Sequence, residues 1–202
     1  MLFSTHLLRA VLAVLPLTAA LPGVSVGIEE GIEGYEIEPM QWEVRAFSDG
    51  PLIPMNGTVQ EVVVKLRDLN PQFDESIALD HDAPQKRADA AAVSHACYSR
   101  WDYLAATKYI NDGIRYLRNI RGSPRIGPGP GKCSRVSCSY NSAIWWCNDN
   151  RVGIGLFSFA SIADGAQYLV DRCQSKAFGI AGVSGRVFHS AGWNVVVQRD
   201  TC

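Results

Sequence analysis

The C-terminal part of the sequence predicts an α+β fold: a two-layer sandwich of two helices on a mostly antiparallel four-stranded sheet, stabilised by disulfides. Three observations lead there. Two stretches carry one apolar stripe at helical spacing, four short runs are rich in β-branched and aromatic residues, and all six cysteines fall in the last 106 of 202 residues. A helix with one apolar stripe must bury it, and a sheet with one apolar face accommodates two such helices in two layers.

The first helix is expected over 99–121, because Tyr103, Ala106, Ile110, Ile114 and Leu117 share one side of a 3.6-residue spiral and Ser99 is a suitable cap. The following RGSPRIGPGPGK is read as a loop, since its glycines and prolines oppose regular structure. CSRVSCSY and SAIWWCND then read as strands joined through Asn141. A capping box, Ser161-Ile162-Ala163-Asp164, opens the second helix, whose inner stripe is Ile162, Ala166, Leu169 and Cys173. VSGRVFH and WNVVVQR close the pattern as a strand pair around Ala191-Gly192.

A domain of this size buries only about two thirds of its unfolded surface, so cross-links worth roughly 2–4 kcal/mol each matter to it. Cys97, Cys133, Cys138, Cys147, Cys173 and Cys202 are therefore expected to form disulfides. Cys173 should find its partner on the sheet. A hairpin turning near Tyr140 sets Cys133 opposite Cys147 and aims Cys138 at the other face. Cys97 and Cys202 are free to tie the chain ends together, and the pairing as a whole stays open.

Upstream, residues 1–20 have the form of a secretory signal peptide, with Arg9 before a short apolar run broken by Pro16 and cleavage expected after Ala20. This places the chain outside the cell, in an oxidising path that suits the cysteines. Lys86-Arg87 is a dibasic site for a secretory-pathway endoprotease of the kexin or furin type. Three properties change at that border. The cysteines all follow it, and the glycosylation sequon Asn56-Gly57-Thr58 precedes it. Residues 21–87 carry 13 acidic against 5 basic residues, and residues 88–202 carry 7 against 13. The chain is thus expected to comprise a signal, an acidic propeptide or small N-terminal lobe over 21–87, and a basic cysteine-rich domain over 88–202. Within the acidic part, Met40, Trp42, Val44 and Ala46 alternate as in a strand. Thr58-Val59-Gln60-Glu61 is a capping box opening a helix that Asn70-Pro71 should stop. Such a lobe can dock on the basic domain and act as a chaperone or a mask.

CSRVSCSYNSAIWWCNDN and SGRVFHSAGWNVVVQRDTC resemble small cysteine-rich proteins secreted by filamentous fungi. The element order with a final cysteine is similar to fungal killer toxins and to necrosis-inducing effector domains. The resemblance covers residues 97–202 and implies a preproprotein that acts outside the cell on a competing microbe or a host.

No catalytic constellation stands out. Residues 88–202 contain seven aspartates and no glutamate, which disfavours paired-carboxylate glycoside chemistry. The G-x-S-x-G elbow is missing, and GPGPGKC fails the phosphate-loop pattern. His95, placed in a flexible stretch before Cys97, and His189, at a hairpin tip, are the acid–base candidates of a secreted ribonuclease, with Arg135 or Arg186 to hold phosphate. Cysteine spacing without C-x-x-C, and isolated histidines, point away from a metal site. No cofactor is expected. The candidate target contacts are Trp145 and Trp146, adjacent in a strand and so on opposite faces, and Arg115, Arg118, Arg121 and Arg125 near the end of the first helix. The functional expectation is a secreted toxin- or effector-like protein that binds a protein, membrane or cell-wall glycan on another cell, with nucleic acid disfavoured. The alternatives are a secreted hydrolase such as a ribonuclease and a cell-wall carbohydrate-binding module.

Overall fold

The structure is a computed structural model that describes residues 31–73, 91–98, 103–177 and 180–202. Ala20, Lys86, Arg87 and the cap residue Ser99 lie outside the described residues.

The acidic segment begins with two short strands, β1 (Glu36–Ile37) and β2 (Gln41–Val44), and a third, β3 (Ile53–Asn56), pairs antiparallel with β2. Alternation along β2 buries Trp42 and Val44 and leaves Gln41 and Glu43 outside, as a half-buried strand requires. Helix α1 (Val59–Leu69) starts where the capping motif sets it: the Thr58 amide and hydroxyl donate to the Glu61 carboxylate at 2.6 and 3.0 Å. These bonds, the amide first, pull the Glu61 pKa below its ordinary value. The helix stops at Asn70, whose side-chain amide donates to the Ala46 carbonyl at 2.7 Å.

The cysteine-rich part contributes β4 (Ala92–Cys97), β5 (Ala105–Ala106), α2 (Thr107–Asn119), β6 (Arg125–Ile126), β7 (Lys132–Ser139), β8 (Ser142–Asn148) and β9 (Ile154–Gly155). It continues with α3 (Ala160–Cys173), β10 (Gln174–Ala177), β11 (Ile180–Val183), β12 (Gly185–His189) and β13 (Trp193–Gln198). β7 and β8 turn through Tyr140 and Asn141, both in left-handed conformation (φ 47° and 56°), the geometry of a tight hairpin. The apolar stripe of α3, Ile162, Ala166, Leu169 and Cys173, is buried as its spacing requires; that of α2 is buried at Ile110, Ile114 and Leu117, whereas Tyr103 lies ahead of the helix and is exposed and Ala106 is half-buried in β5. α2 begins at Thr107, later than expected, because Ala105 and Ala106 are held extended against Val183 and Gly182. α3 begins two residues earlier than its capping motif suggests, with Phe159 rather than Ser161 at the cap position. Ser161 is buried inside the helix, and Asp164 instead accepts from Arg118 at 3.0 Å.

The predicted two-layer sandwich on four strands is not the architecture found. Among the described residues three helices accompany thirteen strands in three sheets: six strands in the order β1-β7-β8-β13-β12-β4, four as β3-β2-β6-β9, and three as β10-β11-β5. The four expected strands form the middle of the large sheet. Its outermost strands come from chain whose strand character the residues hide: Glu36–Ile37 is too short to show alternation, and AVSHAC is exposed along its whole length. Exposed edge backbone gains partners wherever chain can reach it, which extends a sheet beyond its strongly patterned strands. The glycine-proline loop is likewise not wholly irregular, since Arg125 pairs with Gln41 of β2 and with Gly155 of β9.

One apolar core joins the two oppositely charged halves. Met40, Trp42, Val59, Val62, Val63, Leu66 and Phe73 of the acidic segment are buried in the same cluster as Ile110, Leu117, Trp146, Phe159 and Val195. Trp42 stacks on Phe159 with ring centroids 4.4 Å apart, and its Nε1 donates to the Gly57 carbonyl at 2.7 Å. Gln60 of α1 reaches the large sheet, donating to Ser137 Oγ at 2.8 Å and accepting from the Cys138 amide at 3.2 Å. α3 lies close on the sheet at Gly165, where a Cβ would stand 2.7 Å from Val195 Cγ2.

The six cysteines form three disulfides: Cys97–Cys173, Cys133–Cys147 and Cys138–Cys202. Cys173 takes its partner from the large sheet, and Cys133 and Cys147 face each other across β7 and β8. A Cys97–Cys202 tie between the chain ends does not form. Nor does Cys138 point away from Cys133. The register shifts between Arg135 and Ser137, and that bulge re-phases the alternation so that both sulfurs lie in one cluster with Trp145.

Candidate binding face beneath an N-terminal strap

The large sheet has two faces of different character. Ile144, Trp146, Val187, Val195 and Val197 face the helices. Register sets out the other face in rows: Arg135 lies opposite Trp145, Trp145 opposite Val196, and Val196 opposite Arg186. The neighbouring row runs Cys133, Cys147, Asn194 and Phe188. An indole and two guanidinium groups therefore share one face of the sheet, with the Arg135 guanidinium 5.6 Å from the Trp145 ring.

Residues 31–38 lie across this face as a strap. Ile32 is buried against Trp145, Cys133, Cys147 and Val196, and Tyr35 packs on the same cluster. Tyr35 turns inward after Gly34, whose φ of 79° suits glycine. β1 adds as a parallel strand to the edge of β7, with Glu36 N donating to Gly131 O at 2.7 Å and Glu38 N to Cys133 O at 2.9 Å. The Tyr35 hydroxyl donates to Asp149 at 2.8 Å and accepts from Arg186 at 3.2 Å and Asn194 at 3.4 Å. Asn194 also donates to Asp149 at 2.7 Å, and Gln198 to the Gly31 carbonyl at 3.2 Å. Lys132 pairs with Glu38 at 3.3 Å and Glu36 at 3.5 Å; the hydrogen bond to Glu38 and the two carboxylate charges raise its pKa.

Beneath the strap the polar groups are not fully used. Among the described residues, Trp145 Nε1, Arg186 Nε and Asn194 Oδ1 are buried with no hydrogen-bond partner. Other buried atoms lack a partner as well, Trp146 Nε1 and Trp193 Nε1 in the main core among them, so these three show unmet hydrogen-bonding capacity on the covered face without setting it apart from the rest of the interior.

Burial, chiefly, and then the bond to Asp149 raise the Tyr35 pKa above its ordinary value, outweighing the Arg186 charge that lowers it. A raised folded value means that this contribution is fully present below the unfolded pKa and is lost as pH rises through the folded one. Tryptophan emission is therefore expected to shift above about pH 10 together with the late-titrating tyrosinate absorbance. A Tyr35→Phe chain should lack that step, and an identical shift in the variant would contradict the assignment.

The predicted contacts are distributed otherwise than the sequence suggests. Neither tryptophan is open: Trp145 is 1% and Trp146 0% exposed, one under the strap and one in the main core. The four arginines do not form one patch. Arg115 pairs with Asp112 at 3.0 Å, Arg118 with Asp164 at 3.0 Å, and Arg125 with Glu43 of the acidic segment at 3.5 Å. Arg121 lines a separate small hollow with Arg45, Phe47 and Phe73. Asn56 is exposed on β3, where a glycan has room. His95 belongs to strand β4 rather than a flexible stretch, opposite Val187 and 3.3 Å from the Tyr168 hydroxyl. His189 is buried and stacked on Trp193 at 3.6 Å. His95, Cys97 and Cys173 bring donor atoms within 4.8 Å of one another, but the disulfide consumes both sulfurs. Tyr35, Asp149 and Asn194 were not legible as site residues. The available signal was the acidic–apolar alternation of GYEIE after a glycine, in a segment otherwise read as propeptide.

Comparison with family models, curated proteins and solved structures finds no match for this chain. Three disulfides, and among the described residues no helix long and apolar enough to cross a membrane, are consistent with an extracellular protein.

Proposed function

We propose that the chain is the precursor of a secreted toxin- or effector-like protein that binds a target on a host or competing cell through the sheet face carrying Trp145, Arg135 and Arg186. The observation that carries this reading is a Trp-Arg face with three orphaned polar atoms, covered by eight residues of the chain's own acidic segment. Aromatic and arginine side chains supply most binding energy in recognition surfaces, and a cover keeps such a surface inactive during export. Cleavage at Lys86-Arg87 makes the acidic segment a separate chain. No disulfide crosses that cut, so only burial, hydrogen bonds and ion pairs such as Lys132–Glu38 and Arg125–Glu43 then hold it. The strap is then held by two ladder bonds, by Ile32 and Tyr35, by the ion pairs of Glu36 and Glu38 with Lys132 and by the bond from Gln198 to the Gly31 carbonyl, contacts that a competing segment can replace.

The test is surface binding of fluorescent protein to fungal and plant cells. Three full-length forms are compared: cleaved, uncleavable with Lys86→Ala and Arg87→Ala, and cleaved with Arg135→Ala and Arg186→Ala. The cleaved form should bind about tenfold better than the uncleavable one, a difference of about 1.4 kcal/mol, and the double arginine variant should lose that gain. Equal binding by all three would remove the masked-face reading.

A further inference from the structure

Resting on that reading, we propose that the covered site accepts an extended peptide, which adds as a parallel strand to the edge of β7, sets a tyrosine hydroxyl among Arg186, Asn194 and Asp149, and presents an acidic residue to Lys132. The strap is the template for this occupant. Its two amides bond Gly131 and Cys133 carbonyls, so recognition begins with main-chain pairing at an edge, a mode open to any extended segment. Specificity comes from side chains. The Tyr35 ring lies 4.8 Å from the Arg186 guanidinium while its hydroxyl makes three bonds, and Glu36 and Glu38 flank Lys132.

Only a peptide accounts for both features: a carbohydrate engages the polar groups but offers no strand to the β7 edge. At the other end of that edge, Gln60 already occupies the Cys138 amide. The free length is thus short, matching the few residues of β1. The strap is moreover an imperfect occupant, because Trp145 Nε1, Arg186 Nε and Asn194 Oδ1 stay unbonded beneath it. A peptide that satisfies even one of them gains what the strap forgoes, which makes displacement by a target segment favourable.

The experiment uses the full chain carrying Tyr35→Ala, and in parallel Tyr35→Phe, each checked for cooperative unfolding. The probe is a labelled synthetic peptide with the sequence of residues 31–38, followed by fluorescence anisotropy. Saturable binding is expected, about tenfold tighter to the Tyr35→Ala chain than to wild type, whose own strap competes. Phenylalanine in place of the peptide's tyrosine, or Arg186→Ala in the protein, should each weaken it about tenfold, the order for a hydroxyl bonded to charged groups. Equal binding of a scrambled octapeptide, absent binding to both folded variants, or displacement by cell-wall oligosaccharides with no effect of the tyrosine would overturn the proposal. Peptide capture by a chain that fails the cell-binding test retains this inference and removes the toxin reading. Cell binding without peptide capture does the reverse.

Discussion

Trp42→Ala is expected to lower the stability of the whole chain by about 3–5 kcal/mol, read as a fall in the urea midpoint with the slope unchanged. Trp42 is 1% exposed, stacks on Phe159 and donates to Gly57. Its removal leaves a cavity at the centre of the core shared by residues 40–73 and 105–197, and neither half can collapse without the other. Against a typical total of about 5–15 kcal/mol this is a severe loss, and the yield of folded protein should fall with it. The result also discriminates between two organisations. If the acidic segment formed an independent lobe, only an early partial transition would move. One shared core requires a single transition that shifts as a unit, and a stable late transition would refute it.

Replacing Cys97 and Cys173 together by serine is expected to cost about 4 kcal/mol, more than the roughly 3 kcal/mol for the Cys133–Cys147 pair. The first bond closes a loop of 76 residues and the second one of 14, and chain entropy in the unfolded state grows with loop length. Cys97 also ends β4, a strand exposed along its length, and pins it to the C-terminus of α3. Amide exchange should therefore speed up in β4 before any other strand of the large sheet. Equal losses for the two pairs, with β4 still protected, would contradict this account.

Signals confined to neighbouring residues were legible from the sequence. Thr58 and Glu61 lie one helical turn apart and bond each other. The hairpin around Tyr140 and Asn141 was legible too, but its turn pairs Ser139 with Ser142 and by itself sets Cys133 opposite Asn148; the bulge between Arg135 and Ser137 brings Cys133 to Cys147. The stripe from Ile162 to Cys173 is buried since helical spacing places those residues on one side. The charge split also has a physical counterpart: Glu36, Glu38 and Glu43 of the acidic part meet Lys132 and Arg125 of the basic part.

Features set by chain distant in sequence were not legible. The bulge between Arg135 and Ser137 re-phases Cys138, and no residue type announces it. AVSHAC became a strand only because β12 offers it an edge, and a serine that suits a helix cap was buried inside α3 by the packing around Phe159. The arginines that look clustered along the chain are separated by their partners, Asp112, Asp164 and Glu43.

By itself, the sequence determined the helices with their inner faces, the central hairpins, the bonded state expected of the cysteines and the division into acidic and basic halves, since periodicity, spacing and composition act over a few residues. Tertiary structure alone decided that the halves share a core, that the sheet has six strands, and that Trp145 lies beneath Ile32 and Tyr35. The reason is physical: Tyr35 and Asp149 are 114 residues apart, and only the folded chain brings a phenol to that carboxylate.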